Sequence, residues 1–207
     1  MITNWKTKIK TSISLLLVMT WLVACTDTIA PQESCDFVMN SQKQRVSWKT
    51  TEKLKVGVRE GIYDADYVRA IEQALINWEN ALGYEIFDFY GILPESQIGE
   101  MDIKILWIYD WEEGLSREQA RTLIKWRGNN IYTASIGINE DDHNFFVDKA
   151  RYGRVDLVAL IVHEIGHALG LAHVDEVESV MYPELATNFD ERREPTEQDL
   201  AALSCEY

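Results

Sequence analysis

His163-Glu164-Ile165-Gly166-His167-Ala168-Leu169-Gly170-Leu171-Ala172-His173 carries the spacing that decides the architecture of this chain. Its first half lies in Val155 to Leu169, an almost continuously apolar run with Asp156 at its head, which predicts a buried helix with an N-cap. On a helix His163 and His167, four residues apart, share one face, so both imidazoles can reach a single cation. Gly170 falls where the helix must stop, and glycine tolerates the left-handed backbone of a sharp exit. The turn brings His173 back as a third nitrogen ligand. Three protein ligands leave one tetrahedral position for water, the arrangement of a catalytic rather than a structural zinc site. Glu164, beside the first ligand, is placed to take a proton from that water while zinc acidifies it and polarises a carbonyl. The chain has four histidines, and three of them occupy these positions. Ionisable groups at 163, 164 and 167 inside an apolar helix would be costly without a partner.

Outward from the helix, the pattern is mixed. Leu54 to Arg59 alternates apolar and polar residues and predicts a half-buried strand. Tyr67, Ile71, Leu75, Trp78 and Leu82 recur at helical spacing after Asp64 and Asp66, and Gly83 supplies a stop. Tyr84–Tyr90, Asp102–Tyr109 and Ile131–Ile138 read as further strands, and the charged stretch 112–128 as holding a short helix around Arg117–Trp126. Thr196-Glu197-Gln198-Asp199 opens a last short helix with a capping-box-like pattern. The expectation is an α+β domain, a twisted mixed β-sheet with an active-site helix packed on it and a C-terminal helix, over residues 53–207. Residues 25–52, polar and without a period, read as a tether.

The eleven-residue motif resembles that of the metzincins, zinc-dependent metallopeptidases. Ser179-Val180-Met181-Tyr182-Pro183 looks like their Met-turn, with Met181 as an apolar floor beneath the metal. The eight-residue step from His173 to Met181 and the stretch Glu194 to Leu200 are similar to matrixins, the family that includes matrix metalloproteases. The resemblance implies an endopeptidase acting on a protein or peptide substrate, with His163, His167 and His173 on zinc and Glu164 as general base. It implies that the strand Ile131–Ile138 is the sheet edge that pairs with substrate backbone around Ala134. It also implies that Tyr182 and Pro183 begin a pocket for the side chain after the scissile bond. Two departures stand out. Outside the motif there is only His143, so the second, structural zinc that matrixins usually carry cannot be built, and one zinc is expected. Val174 stands where matrixins generally carry a small hydroxylated residue. Glu140-Asp141-Asp142 offers calcium a site or is simply a solvated loop.

The N-terminus places this chemistry. Lys6, Lys8 and Lys10 precede an apolar run from Ile13 to Ala24, the layout of a secretory signal over residues 1–24. Leu22-Val23-Ala24-Cys25 resembles the lipobox of bacterial lipoproteins. That implies a lipid on Cys25 and a membrane-anchored, exported protein, with Thr26 favouring the outer membrane; a plain signal peptide or an uncleaved anchor is the other reading. Cys35 and Cys205 remain, and in an exported protein such a pair reads first as a disulfide. The rival, Cys35 as an inhibitory thiolate on the zinc, lacks the Pro-Arg-Cys-Gly setting of metzincin pro-segments. A formal net charge of -14 argues against a nucleic-acid partner, and nothing in the chain asks for more than a monomer. A decayed metzincin scaffold serving as a binding lipoprotein is the alternative function, although the intact Glu164 counts against it.

Overall fold

Leu54, Val56 and Val58 point to one side of their strand and are buried there, which makes β1 (Leu54–Arg59) a core strand. The computed structural model describes residues 30–61 and 64–207. It sets β1 between β2 (Phe87–Leu93) and β3 (Ile103–Ile108), both parallel to it. β5 (Asn130–Asn139) runs parallel to β3, and β4 (Ala120–Arg127) closes the sheet antiparallel to β5, in the order β2-β1-β3-β5-β4. The fold is the mixed α+β arrangement expected.

Two helices share the core with this sheet. α1 (Ala65–Leu82) starts where the Asp64 side chain accepts from Asp66 N, and ends at Gly83 with φ 80°. α3 (Leu157–Ala168) is capped by Asp156, whose carboxylate accepts from Ala159 N at 3.2 Å. Ile71, Leu75 and Trp78 of α1 meet Leu157, Ile161 and Ile165 of α3 in the cluster that also holds Val56, Ile103, Ile105 and Ile136. Trp78 Nε1 donates to Val162 O at 2.9 Å, fixing the two helices against each other. The single turn α2 (Glu95–Ile98) and the paired β6 (Phe145–Phe146) and β7 (Val155–Asp156) are minor additions. α4 (Glu197–Leu203) begins with a capping box between Thr196 and Asp199.

Three readings of the sequence need correction. The segment around Arg117–Trp126, expected to hold a helix, contains β4 instead. Its register to β5 ends at Arg127↔Asn130, so Gly128 and Asn129 form a two-residue hairpin turn, with Gly128 at φ 64°. The strand around Ala134 is not the sheet edge. β5 is bonded on both sides, Ala134 is fully buried, and its N–H goes to Asp102 O at 2.8 Å, so it has nothing to offer an incoming peptide. The edge is β4. Finally, residues 31–52 are not a tether, because the compact unit begins at Pro31.

That N-terminal segment is held from several directions. Phe37 bridges Leu171, Val38 N donates to Gly170 O at 2.8 Å, and Ala172 N donates to Asp36 O at 2.7 Å. Val46 and Trp48 are buried. Cys35 and Cys205 are joined by a disulfide, with Cα atoms 6.5 Å apart, which ties the segment to the residues after α4. Beside it the Glu206 carboxylate accepts from Arg45 Nε at 2.5 Å, from Ser47 Oγ at 2.8 Å and from Lys49 Nζ. Burial would raise the pKa of Glu206, but these donors outweigh it and hold the carboxyl below its usual range. Residues 1–24 and Cys25 lie outside the described residues.

Candidate metal centre

α3 ends in a way that presents the third histidine. Leu171 N donates to Gly166 O and Gly170 N to His167 O, both at 3.0 Å, which is the Schellman pairing of a helix C-terminus. Gly170 sits at φ 105°, and a β-carbon there would lie 2.2 Å from Val46 O, so both backbone and space demand glycine. The remaining carbonyls of the last turn are met from outside: Trp48 Nε1 donates to Ala168 O at 2.8 Å and Tyr207 Oη to Leu169 O at 2.7 Å. With its end fixed, the chain turns beneath residues 36–38 and delivers His173 to the face that carries His163 and His167.

The three Nε2 atoms converge, 3.1 Å from His163 to His167, 3.1 Å from His167 to His173 and 3.3 Å from His173 to His163. His163 donates from Nδ1 to Val180 O at 2.6 Å, and His167 donates from Nδ1 to Leu171 O at 2.8 Å. Those bonds fix the tautomers of His163 and His167, so their Nε2 atoms turn lone pairs toward each other and toward His173 Nε2, an arrangement that a shared cation satisfies. Ligands about 2.0–2.1 Å from a tetrahedral zinc have mutual separations of about 3.3–3.4 Å, close to those found. Burial, followed by the charge of its neighbour His167, holds His163 down to about 3, and burial holds His167 down to about 4. His173 is lowered as well, by burial. Neutral imidazoles are what a metal requires. Among the described residues no other group of histidine, cysteine or acidic side chains gathers in this way. In the Glu140–Asp142 run, Asp141 accepts from Trp111 N and Asp142 from Asn139 Nδ2, and among the described residues these carboxylates do not converge as the three histidines do.

The support beneath the histidines comes from the Met-turn. Met181 is buried, and its Sδ lies against Gly166, where a β-carbon would approach it to 2.2 Å. Asp199 of α4 holds this turn in place. It accepts from Ser179 Oγ and from Val180 N at 3.3 Å, while Val180 O orients His163. Asp199 thus caps its own helix and steadies the residue whose carbonyl orients His163. The Thr196–Asp199 pattern marked the cap, but only the fold could show the second task.

Glu164 is 4 % exposed, and burial pushes its carboxyl up to about 7 against the opposing bond from Thr122. A cleft opens beside it and the histidines, lined on one side by Ala120, Thr122 and Ile124 of β4 and on the other by Tyr182, Pro183 and Leu185. Arg192 donates to Tyr182 O at 3.3 Å and stands 5.4 Å over the Tyr182 ring, bracing that wall. Ala134, expected in the cleft, is not part of it. Sequence reasoning missed Thr122 and the whole of β4, although the Gly128-Asn129 pair between two β-rich runs was a usable signal.

The arrangement is that of a cation held by three nitrogens with an acid–base group beside it in an open cleft. No curated protein matches the chain. The family model of the matrixins matches residues 42–207, which takes in the sheet, the histidines, the Met-turn and the C-terminal helix. This chain belongs to the matrixin family, and with it to the zinc metallopeptidases.

Proposed function

We propose that this protein is an exported endopeptidase that hydrolyses peptide bonds with one zinc ion and with Glu164 as its general base. The observation that carries the reading is the convergence of three Nε2 atoms beside the Glu164 carboxylate, in a cleft bordered by a strand edge that is unpaired among the described residues. Zinc held by His163, His167 and His173 supplies a Lewis acid that polarises the scissile carbonyl and makes water acidic near neutral pH. Glu164 takes the proton as the water oxygen attacks the carbonyl carbon, and gives it to the amine nitrogen as the carbon–nitrogen bond breaks. The free edge of β4, not β5, pairs with extended substrate backbone. The wall around Tyr182 and Pro183 receives the side chain that follows the scissile bond.

Zinc content and cleavage of casein or gelatin, with and without a chelator, test this. One zinc per chain and cleavage abolished by chelation and restored by zinc are expected. Bound zinc without cleavage of either substrate would return the protein to a binding role on a metzincin scaffold. Export rests on the positive and apolar leader, and a lipid anchor in the bacterial envelope on Ala24-Cys25 at its end. Fatty-acid labelling of the expressed protein should be lost in Cys25→Ser; unlabelled wild type would leave a plain signal peptide or an uncleaved anchor.

A further inference from the structure

Thr122 sits in the middle of β4, opposite Ile136 of β5, and its side chain faces α3. Its hydroxyl has two acceptors in reach, Glu164 Oε2 at 2.5 Å and the Glu164 carbonyl oxygen at 3.2 Å. A hydroxyl has one proton, and the shorter, charge-assisted bond to the carboxylate claims it. Threonine is stiff about χ1, and β4 is bonded to β5 along its length, so the donor is held in place by the sheet. Glu164 Oε1 has no hydrogen-bond partner among the described residues, and it is not a buried orphan either, because the residue lines the open cleft.

Building on the peptidase reading, we propose that Thr122 is a positioning residue that divides the two oxygens of Glu164 between separate tasks. Oε2 is kept as the acceptor of the Thr122 hydroxyl, and Oε1 is left facing the cleft. The proton taken from water then arrives on Oε1 and leaves from Oε1 to the amine nitrogen, with no rotation of the carboxylate between the two transfers. The edge strand that would bind substrate backbone thereby also aims the general base, so the strand that fixes the peptide fixes the proton donor with it.

The test compares Thr122→Val, which keeps the shape and removes the hydroxyl, with Thr122→Ser, which keeps it. Thr122→Val is expected to lose about 10- to 100-fold in kcat on a fluorogenic peptide, the worth of a hydrogen bond to a charged group. KM should change by less than about threefold and zinc should stay at one per chain, because the hydroxyl bonds to Glu164 and to none of the three histidines, and the substitution leaves the backbone groups of the strand edge in place. Thr122→Ser is expected to recover most of the loss. A wild-type kcat in Thr122→Val, a loss that serine does not recover, or a loss carried by KM or zinc content would overturn the proposal. Should Thr122→Val fail to fold, Thr122→Ala is compared with Thr122→Ser on the same terms. A wild-type protein that cleaves nothing sinks the peptidase reading itself, whereas an active wild type with an indifferent Thr122→Val sinks only the role of Thr122.

Discussion

Glu164→Ala is expected to lower kcat on a protein substrate by about 100- to 10,000-fold, the range that a positioned acid–base group supplies. The zinc should stay. Glu164 is not among the three converging side chains, and the bonds that orient His163 and His167 run to Val180 O and Leu171 O, which the substitution does not touch. Folding should hardly suffer either. The carboxyl is buried, and burial raises its pKa to about 7, so ionising it inside the fold carries a cost that alanine does not bear. What is lost is one hydrogen bond from Thr122. A thermal melt and zinc content close to wild type, beside a collapsed rate, separate lost chemistry from lost structure. Glu164→Gln sharpens the comparison, since its amide oxygen can still accept from Thr122 while it cannot take up a proton. Either variant cleaving at the wild-type rate would remove Glu164 from the mechanism.

The parts of this fold that were legible in the sequence are those whose causes are local. α1, α3 and α4 announce themselves through a helical period and through caps at Asp64, Asp156 and Thr196, each within a few residues of its helix. The histidine spacing is local too, because one helix and one glycine turn set all three side chains. β4 escaped because its identity depends on pairing with β5. Arg117 and Glu118 just before it and Arg121 within it mimic a solvated helix face, while the Gly128-Asn129 turn that folds it back lies beyond the segment. The same mistake moved the sheet edge one strand inward, to Ala134. Residues 31–52 escaped for a stronger version of the same reason. Trp48 reaches Ala168 and Arg45 reaches Glu206, partners 120 and 161 residues away, and no window along the chain contains them. Thr122 and Glu164 are 42 apart, so the bond between strand and carboxylate could only be found in three dimensions.

Removing the Cys35–Cys205 bridge is expected to cost stability rather than catalysis. The bridge closes a loop of sequence separation 170, nearly the whole compact unit. The chain-entropy model assigns about 5 kcal/mol to a loop of that length. For a domain of this size that corresponds to a fall in Tm of about 10–20 °C. Geometry limits the damage to the site. The pairing of residues 36–38 with 170–172 and the three donors on Glu206 hold the same junction without the sulfurs. They lack the covalent constraint on the unfolded chain but keep the native arrangement, so His173 stays in place while the protein is folded. A Cys35→Ser, Cys205→Ser variant should therefore match the wild-type kcat at 25 °C and lose activity at a much lower temperature. Calorimetry and a cleavage assay on the same sample decide between the outcomes. A Tm within about 2 °C of wild type would mean that the junction is held by Glu206 and the backbone pairing alone. A loss of kcat at 25 °C would mean that the N-terminal segment needs its covalent tie to keep the third ligand against the other two.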